Sequence, residues 1–213
     1  MDIETWGAIE QERLSLADLL AGLSADQWEA QSLCTEWRVR DVAAHLVMTP
    51  AAEPSVATMV KALARNRGHL WNAGRDVAIA YAARPTERIV ADLRRDAASR
   101  TKPVFVDPAN ILLDLVVHGQ DIAVPLGLIR EVPPLTGAAA LDRIWSMGWP
   151  FHAKRRLSGL SLATVDGTWR AGEGPEVVGT AADLLLLATR RDDVALQRLQ
   201  GPGLGQLSRA GRG

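Results

Sequence analysis

Residues 107–123 read DPANILLDLVVHGQDIA, and this stretch decides the fold. Asp107 can accept hydrogen bonds from the free backbone N–H groups of a helix start, and Pro108 suits a first position whose N–H needs no partner. Pro125 and Gly127 stop the pattern, so a helix is predicted to run to about Ala123. With Asp114 as the zero of angle, at about 100° per residue, His118 falls at about 40° and Asp121 at about −20°. The three share one stripe. Ile111, Leu115 and Ile122 flank it on one side, Leu113 and Val117 on the other, and Leu112 and Val116 lie farther round.

A helix that is apolar on most faces packs inside a bundle, so the stripe is predicted to be buried. Buried carboxylates and an imidazole need compensation, from an ion pair with Arg or Lys, a hydrogen-bonded His–Asp pair, or a metal ion. The Asp-x-x-x-His spacing suits a metal, because side chains four apart project side by side. The best third ligand is His45, in RVRDVAAHLVM (residues 38–48), where Arg38, Asp41 and Thr49 lie close to its face. Two imidazoles and a carboxylate match a catalytic zinc environment with an open fourth position, and the same set can hold Fe(II), Ni(II) or Mn(II). Pattern alone leaves an intrahelical Asp–His pair and a simple hydrogen-bonded histidine as alternatives. His69 and His152 sit beside basic residues and read as surface or boundary positions. Cys34 reads as an inert structural thiol, and Trp28, Trp37, Trp71, Trp145 and Trp149 as core or interdomain packing, any of which could instead line a pocket.

Outward from this stretch the N-terminal part is helical. Apolar residues recur at helical spacing from Ile3 to about Ala21, Ser24 with Gln27 forms a capping box, and Thr35 with Glu36 reads as the start of a helix through Met48. Pro50 and Pro54 interrupt the pattern. One long helix is expected from about Val56 to Ala82, another from Pro85 to about Ser99, and another from Gly137 to Phe151. From Gly159 the texture alternates, and Asp166-Gly167 marks a hairpin within two or three short strands. Thr180 then caps a helix to about Thr189, with a short helix near Val194 to Leu199, and GPGLGQLSRAGRG reads as a loose tail. The division is a helical domain over residues 1–152 and a small α/β domain over residues 153–213.

With 213 residues, a formal net charge of −1 and 47% hydrophobic residues, the chain has an ordinary globular composition. Near-neutral charge offers no broad attraction for nucleic acid or an anionic membrane, which leaves small molecules as the expected partners. No apolar run is long enough to span a bilayer, the acidic start lacks a secretory pattern, and one cysteine fits a reducing compartment. A cytoplasmic protein, monomeric or homodimeric, is expected.

TEWRVRDVAAHL (35–46), LDLVVHGQDIAVPLG (113–127) and GLSLATVDGTWRAGEGPEVVGTAADLLLLATRR (159–191) together resemble the mycothiol-dependent maleylpyruvate isomerase family. The resemblance spans nearly the whole chain and implies a mainly α fold, a DinB-like up-and-down four-helix bundle followed by a small α/β C-terminal domain. It implies a divalent metal, zinc first, on His45, Asp114 and His118, with Asp114 where the family's isomerases carry Glu. Asp121 would orient a ligand imidazole. It also implies mycothiol as a thiol co-substrate for isomerisation or thiol transfer on a small electrophile. An arginine of the C-terminal domain is expected near the site, from among Arg170, Arg190, Arg191 and Arg198. A DinB-like metal-dependent hydrolase and a non-catalytic metal- or ligand-binding module are the alternatives.

Overall fold

Alternating apolar and polar residues at helical spacing give the first unit its elements. In a computed structural model that describes residues 2–49, 55–102 and 106–210, these are α1 (Asp2–Ala21), α2 (Ala25–Glu29), α3 (Val39–Met48), α4 (Val56–Arg65), α5 (Leu70–Ala82), α6 (Thr86–Arg95) and α7 (Pro108–Ala123). On α1 the buried residues Ile9, Glu12, Arg13, Leu16, Ala17 and Leu20 follow the three-and-four rhythm of one helix face. That face packs against α6 and α7, while α3 packs against the same two helices from the other side. Four helices thus enclose the core of this unit, with α4 and α5 joined to α3 through α5.

Local chemistry fixes the ends. Ser24 and Gln27 form the expected capping box on α2, and Asp107 accepts the Ala109 N–H ahead of Pro108 on α7. The expected start of α3 at Thr35 is corrected. Glu36 has φ 65°, in the left-handed region, and α3 begins only at Val39, where the Asp41 carboxylate accepts the Arg38 N–H at 2.9 Å. The expected continuous helix over 56–82 is two helices. Arg67 (φ 52°) and Gly68 (φ 82°) reverse the chain between them, and His69 lies exposed in that turn. The interruption assigned to Pro50 and Pro54 lies outside the described residues. Helix α6 stops at Arg95, ahead of the expected Ser99, and the turn that follows it is met by Arg13, whose Nη1 donates to the carbonyls of Ala97 (2.9 Å) and Ser99 (2.7 Å).

The chain separates into two compact units, Met1–Ile129 and Arg130–Gly213, so the division falls earlier than the expected residue 152. The reason is α8 (Pro134–Ser146), which starts and ends before the expected 137–151 span and packs on α10 (Ala181–Ala188). Gly137 faces Ala181 so closely that a Cβ there would meet it at 2.4 Å, and Trp169 Nε1 donates to Asp142 at 2.8 Å. Between these helices lie α9 (Ala153–Arg156), β1 (Ser161–Thr164), β2 (Arg170–Gly172) and β3 (Glu176–Gly179), in the order β2-β1-β3. Strand β1 pairs antiparallel with β2 through the Asp166-Gly167 turn and parallel with β3. Thr180 caps α10 with Asp183, and α11 (Asp192–Ala195) follows. Trp145 packs edge-on against Trp169, whereas Trp149, expected to pack, is exposed.

The part of the expected loose tail that lies among the described residues, as far as Ala210, is folded. Gln200 pairs with Val178, the chain turns through Gly201 to Gly203, and α12 (Leu204–Ala210) follows. Glycine serves here for close approach: Gly201 has φ 113°, and a Cβ on it would lie 2.4 Å from the Glu176 carbonyl oxygen. Gly201→Ala is expected to destabilise the protein by about 1–3 kcal/mol in urea unfolding. A change within about 0.5 kcal/mol would contradict this reading.

Candidate metal centre

The residues of the centre come from two packed helices and one clamped loop. Helix α3 carries His45, and α7 carries Asp114, His118 and Asp121. His45 Nε2 lies 3.1 Å from Asp114 Oδ2, and His118 Nε2 lies 3.3 Å from Asp114 Oδ1. One carboxylate therefore spans both imidazoles, and the aspartate, though a methylene shorter than glutamate, reaches them. The ligand atoms of the three residues lie within 4.8 Å of one another, so as a donor set they fit a divalent ion.

The α7 stripe is graded rather than uniformly buried as expected. Side-chain exposure rises from 0% at Asp121 to 16% at His118 and 42% at Asp114, with His45 at 31%. The floor is buried and the rim is exposed, which leaves a ligand a way in. At the floor, Asp121 Oδ2 accepts from His118 Nδ1 at 2.8 Å, which fixes the ring and turns Nε2 toward Asp114.

Two neighbours join the site that the sequence did not assign to it, although Trp37 was among the tryptophans that could line a pocket. The segment before α3 is closed by a Gln31–Arg38 bridge, by the Ser32 N–H and hydroxyl donating to the Trp37 carbonyl (3.0 and 2.7 Å), and by the Leu33 N–H donating to the Asp121 carbonyl (3.0 Å). Outside it, Glu36 pairs with Arg75, and Arg38 with Glu29 and Asp41. The clamp sets the Trp37 ring 5.4 Å from the His45 ring and 6.2 Å from the His118 ring, and Cys34 Sγ 3.1 Å from Asp121 Oδ2. Trp37 is thus a wall of the site, and Cys34 is engaged with it. The only signal in the sequence was their position just ahead of the His45 helix. Of the four arginines from which a partner of the site was expected, Arg170 pairs with Glu176, Arg191 donates to the Thr189 carbonyl, Arg198 lies 3.8 Å from Asp183, and Arg190 is exposed with φ 69°.

Electrostatics bind the cluster. For His118, burial opposes the charged ring, but the Asp114 charge and hydrogen bonds to Asp114, Asp121 and Cys34 outweigh it and raise the pKa well above the ordinary value. For Asp114, burial likewise opposes charge, and His118 and His45 together hold the carboxyl far below the carboxylate range. In the metal-free protein the His118 contribution to stability is complete below an unfolded pKa of about 6.5 and is lost as pH rises through the raised folded value. The Asp114 contribution is present above about 3.9 and is lost as pH falls through the depressed folded value. A metal must displace the His118 proton. Its apparent affinity is therefore expected to rise about tenfold per pH unit above about 6.5, until the raised pKa is passed. Chelator competition across that range checks this, and a flat profile contradicts it.

Two packed helices presenting two imidazoles and a carboxylate define a candidate divalent-metal centre on a helical bundle. The family model of the mycothiol maleylpyruvate isomerase N-terminal domain matches residues 9–123, and the chain belongs to that family. A crystal structure of the mycothiol-dependent maleylpyruvate isomerase is similar in fold over 93% of this chain and 92% of that one, with a TM-score of 0.55 at 16% identity. A histidine-to-alanine mutant of the same isomerase gives a TM-score of 0.51 at 15% identity over the same shares. No curated protein shows a significant match. The first unit is helical and the second carries the small α/β part, and among the described residues no helix is long and apolar enough to cross a membrane.

Proposed function

We propose that this chain is a divalent-metal-dependent enzyme, zinc-loaded in the cytoplasm, that uses mycothiol to isomerise, or to transfer the thiol to, a small electrophilic substrate. The observation that carries the reading is the single Asp114 carboxylate bridging His45 and His118 at a partly open rim. His45 Nε2, Asp114 and His118 Nε2 are the groups that would hold the ion. A divalent cation supplies Lewis acidity there, lowering the pKa of a thiol or water.

The chain's own residues do the rest. Asp121, fully buried, keeps the proton on His118 Nδ1 and so leaves the Nε2 lone pair for coordination once its proton departs. Trp37 covers one flank of both imidazoles and excludes water from that side, offering an apolar face to the substrate. Membership of the family supports mycothiol as the thiol and maleylpyruvate as the first substrate to try.

The test is isomerisation of maleylpyruvate by the zinc-loaded protein, with and without mycothiol, and again after chelation. Turnover that needs both metal and thiol is expected. Metal-dependent release of an acid or amine from a thiol conjugate, with no thiol required, would favour the hydrolase. Turnover indifferent to chelation would end the metalloenzyme reading.

A further inference from the structure

The His45–Asp114–His118 group uses only one side of the His118 ring. On the other side, Cys34 Sγ lies 3.1 Å from Asp121 Oδ2 and 3.6 Å from His118 Nδ1, and these last two atoms are 2.8 Å apart. A triangle with such edges is one that an ion at ordinary ligand lengths of about 2.0–2.3 Å spans from just above its plane. Asp121 is fully buried and Cys34 only partly, so the sulfur marks the way in. We propose that Cys34, Asp121 and His118 Nδ1 form a second coordination set, back to back with the first and selective for thiophilic divalent ions such as Cd2+.

Donor chemistry and charge both favour this. The first group offers nitrogen and oxygen, whereas the second adds a thiolate, the donor that distinguishes soft ions. A thiolate and a carboxylate neutralise a divalent ion, so the loaded set carries no net charge into its buried surroundings. The first group, with one carboxylate, leaves a positive charge at a partly open position. An ion on His118 Nδ1 takes the place of the proton that this nitrogen shares with Asp121. The remaining ring proton then sits on Nε2, directed at Asp114, and the lone pair that the first group needs is gone. The two sets therefore compete for one ring, and a soft ion on Cys34 empties the first group. Only this consequence rests on the function proposed above; the second set stands on its own donors.

The chain has one cysteine, so any thiolate-to-cadmium charge-transfer band in the ultraviolet reports Cys34. Titration of the metal-free protein with Cd2+ is expected to give that band at one equivalent. His45→Ala disables the first group alone and should leave the Cd2+ affinity within about threefold, whereas Asp121→Asn and His118→Ala should weaken it at least tenfold. Cys34→Ser, at a partly exposed position, should lose the band and at least tenfold in Cd2+ affinity while keeping its Mn2+ affinity. No band in the wild type, or a band of undiminished affinity in both Asp121→Asn and His118→Ala, overturns the proposal, since the thiol would then be acting alone. Loss of Mn2+ binding in His45→Ala with Cd2+ binding retained shows the two sets to be separate. If His45→Ala leaves Mn2+ binding unchanged, the first group fails and the second is untouched.

Discussion

His118→Ala is expected to lose the bound divalent metal almost entirely, with apparent affinity falling at least 100-fold against wild type while helix content is kept. The substitution removes one of three donors and also the ring through which Asp121 acts on the centre. Second-layer partners of metal ligands alone are worth about 10–100-fold, so loss of the ligand itself exceeds that range. Removing the ring also leaves the buried Asp121 with less compensation, at a cost of about 1–3 kcal/mol. His45→Ala separates the two effects, because its side chain is 31% exposed and its Nε2 is directed at Asp114. Both variants should lose metal, and only His118→Ala should also lose appreciable stability. Equal metal content in wild type and both variants after reloading would remove the centre from consideration.

Arg13→Ala is expected to destabilise the protein by about 3–5 kcal/mol, from the loss of a large buried side chain together with its hydrogen bonds. Arg13 is fully buried on the apolar face of α1, and burial lowers its pKa to about 10 against the pull of Asp96. It is therefore still charged at neutral pH, and its Nη1 closes the carbonyls just beyond the end of α6. Alanine leaves those carbonyls without their donor and opens a cavity the size of the side chain. Nε and Nη2 have no hydrogen-bond partner among the described residues, so part of the guanidinium's desolvation is uncompensated. Arg13→Met, which keeps the stem without the charge, should recover about half of the loss. Urea unfolding of the three proteins decides it. If methionine and alanine cost the same, packing contributes nothing here; if neither costs more than about 1 kcal/mol, the helix-end role is wrong.

What the sequence made legible follows from how local the cause was. The capping box at Ser24, the cap at Thr180, the Asp107-Pro108 start and the Asp166-Gly167 hairpin each depend on residues within four positions, and each is found where expected. The angular argument on α7 put Asp114, His118 and Asp121 on one stripe, and all three meet in the structure. What periodicity could not supply was depth, because exposure along the stripe depends on which helix covers each turn. The break at Arg67-Gly68 was missed because the flanking residues continue a helical rhythm, so the reversal rests on two left-handed residues alone. Cys34 and Trp37 were not assigned to this site because their placement depends on a backbone bond from Leu33 to Asp121, which no local pattern announces. The glycines at 201 and 203 carry the same ambiguity in sequence, since flexibility and tight approach are written with the same residue.

The reach of the Asp114 carboxylate to His45 spans 69 positions of chain, and the contact of Cys34 with Asp121 spans 87. In the unfolded polypeptide these donors are scattered, and none is held near another. Metal affinity and conformational stability are then one thermodynamic quantity seen from two ends: an ion that binds only the assembled protein raises its melting temperature in proportion to the logarithm of its free concentration. A cell short of the ion would hold less of the protein folded, and its abundance would follow metal supply with no change in synthesis.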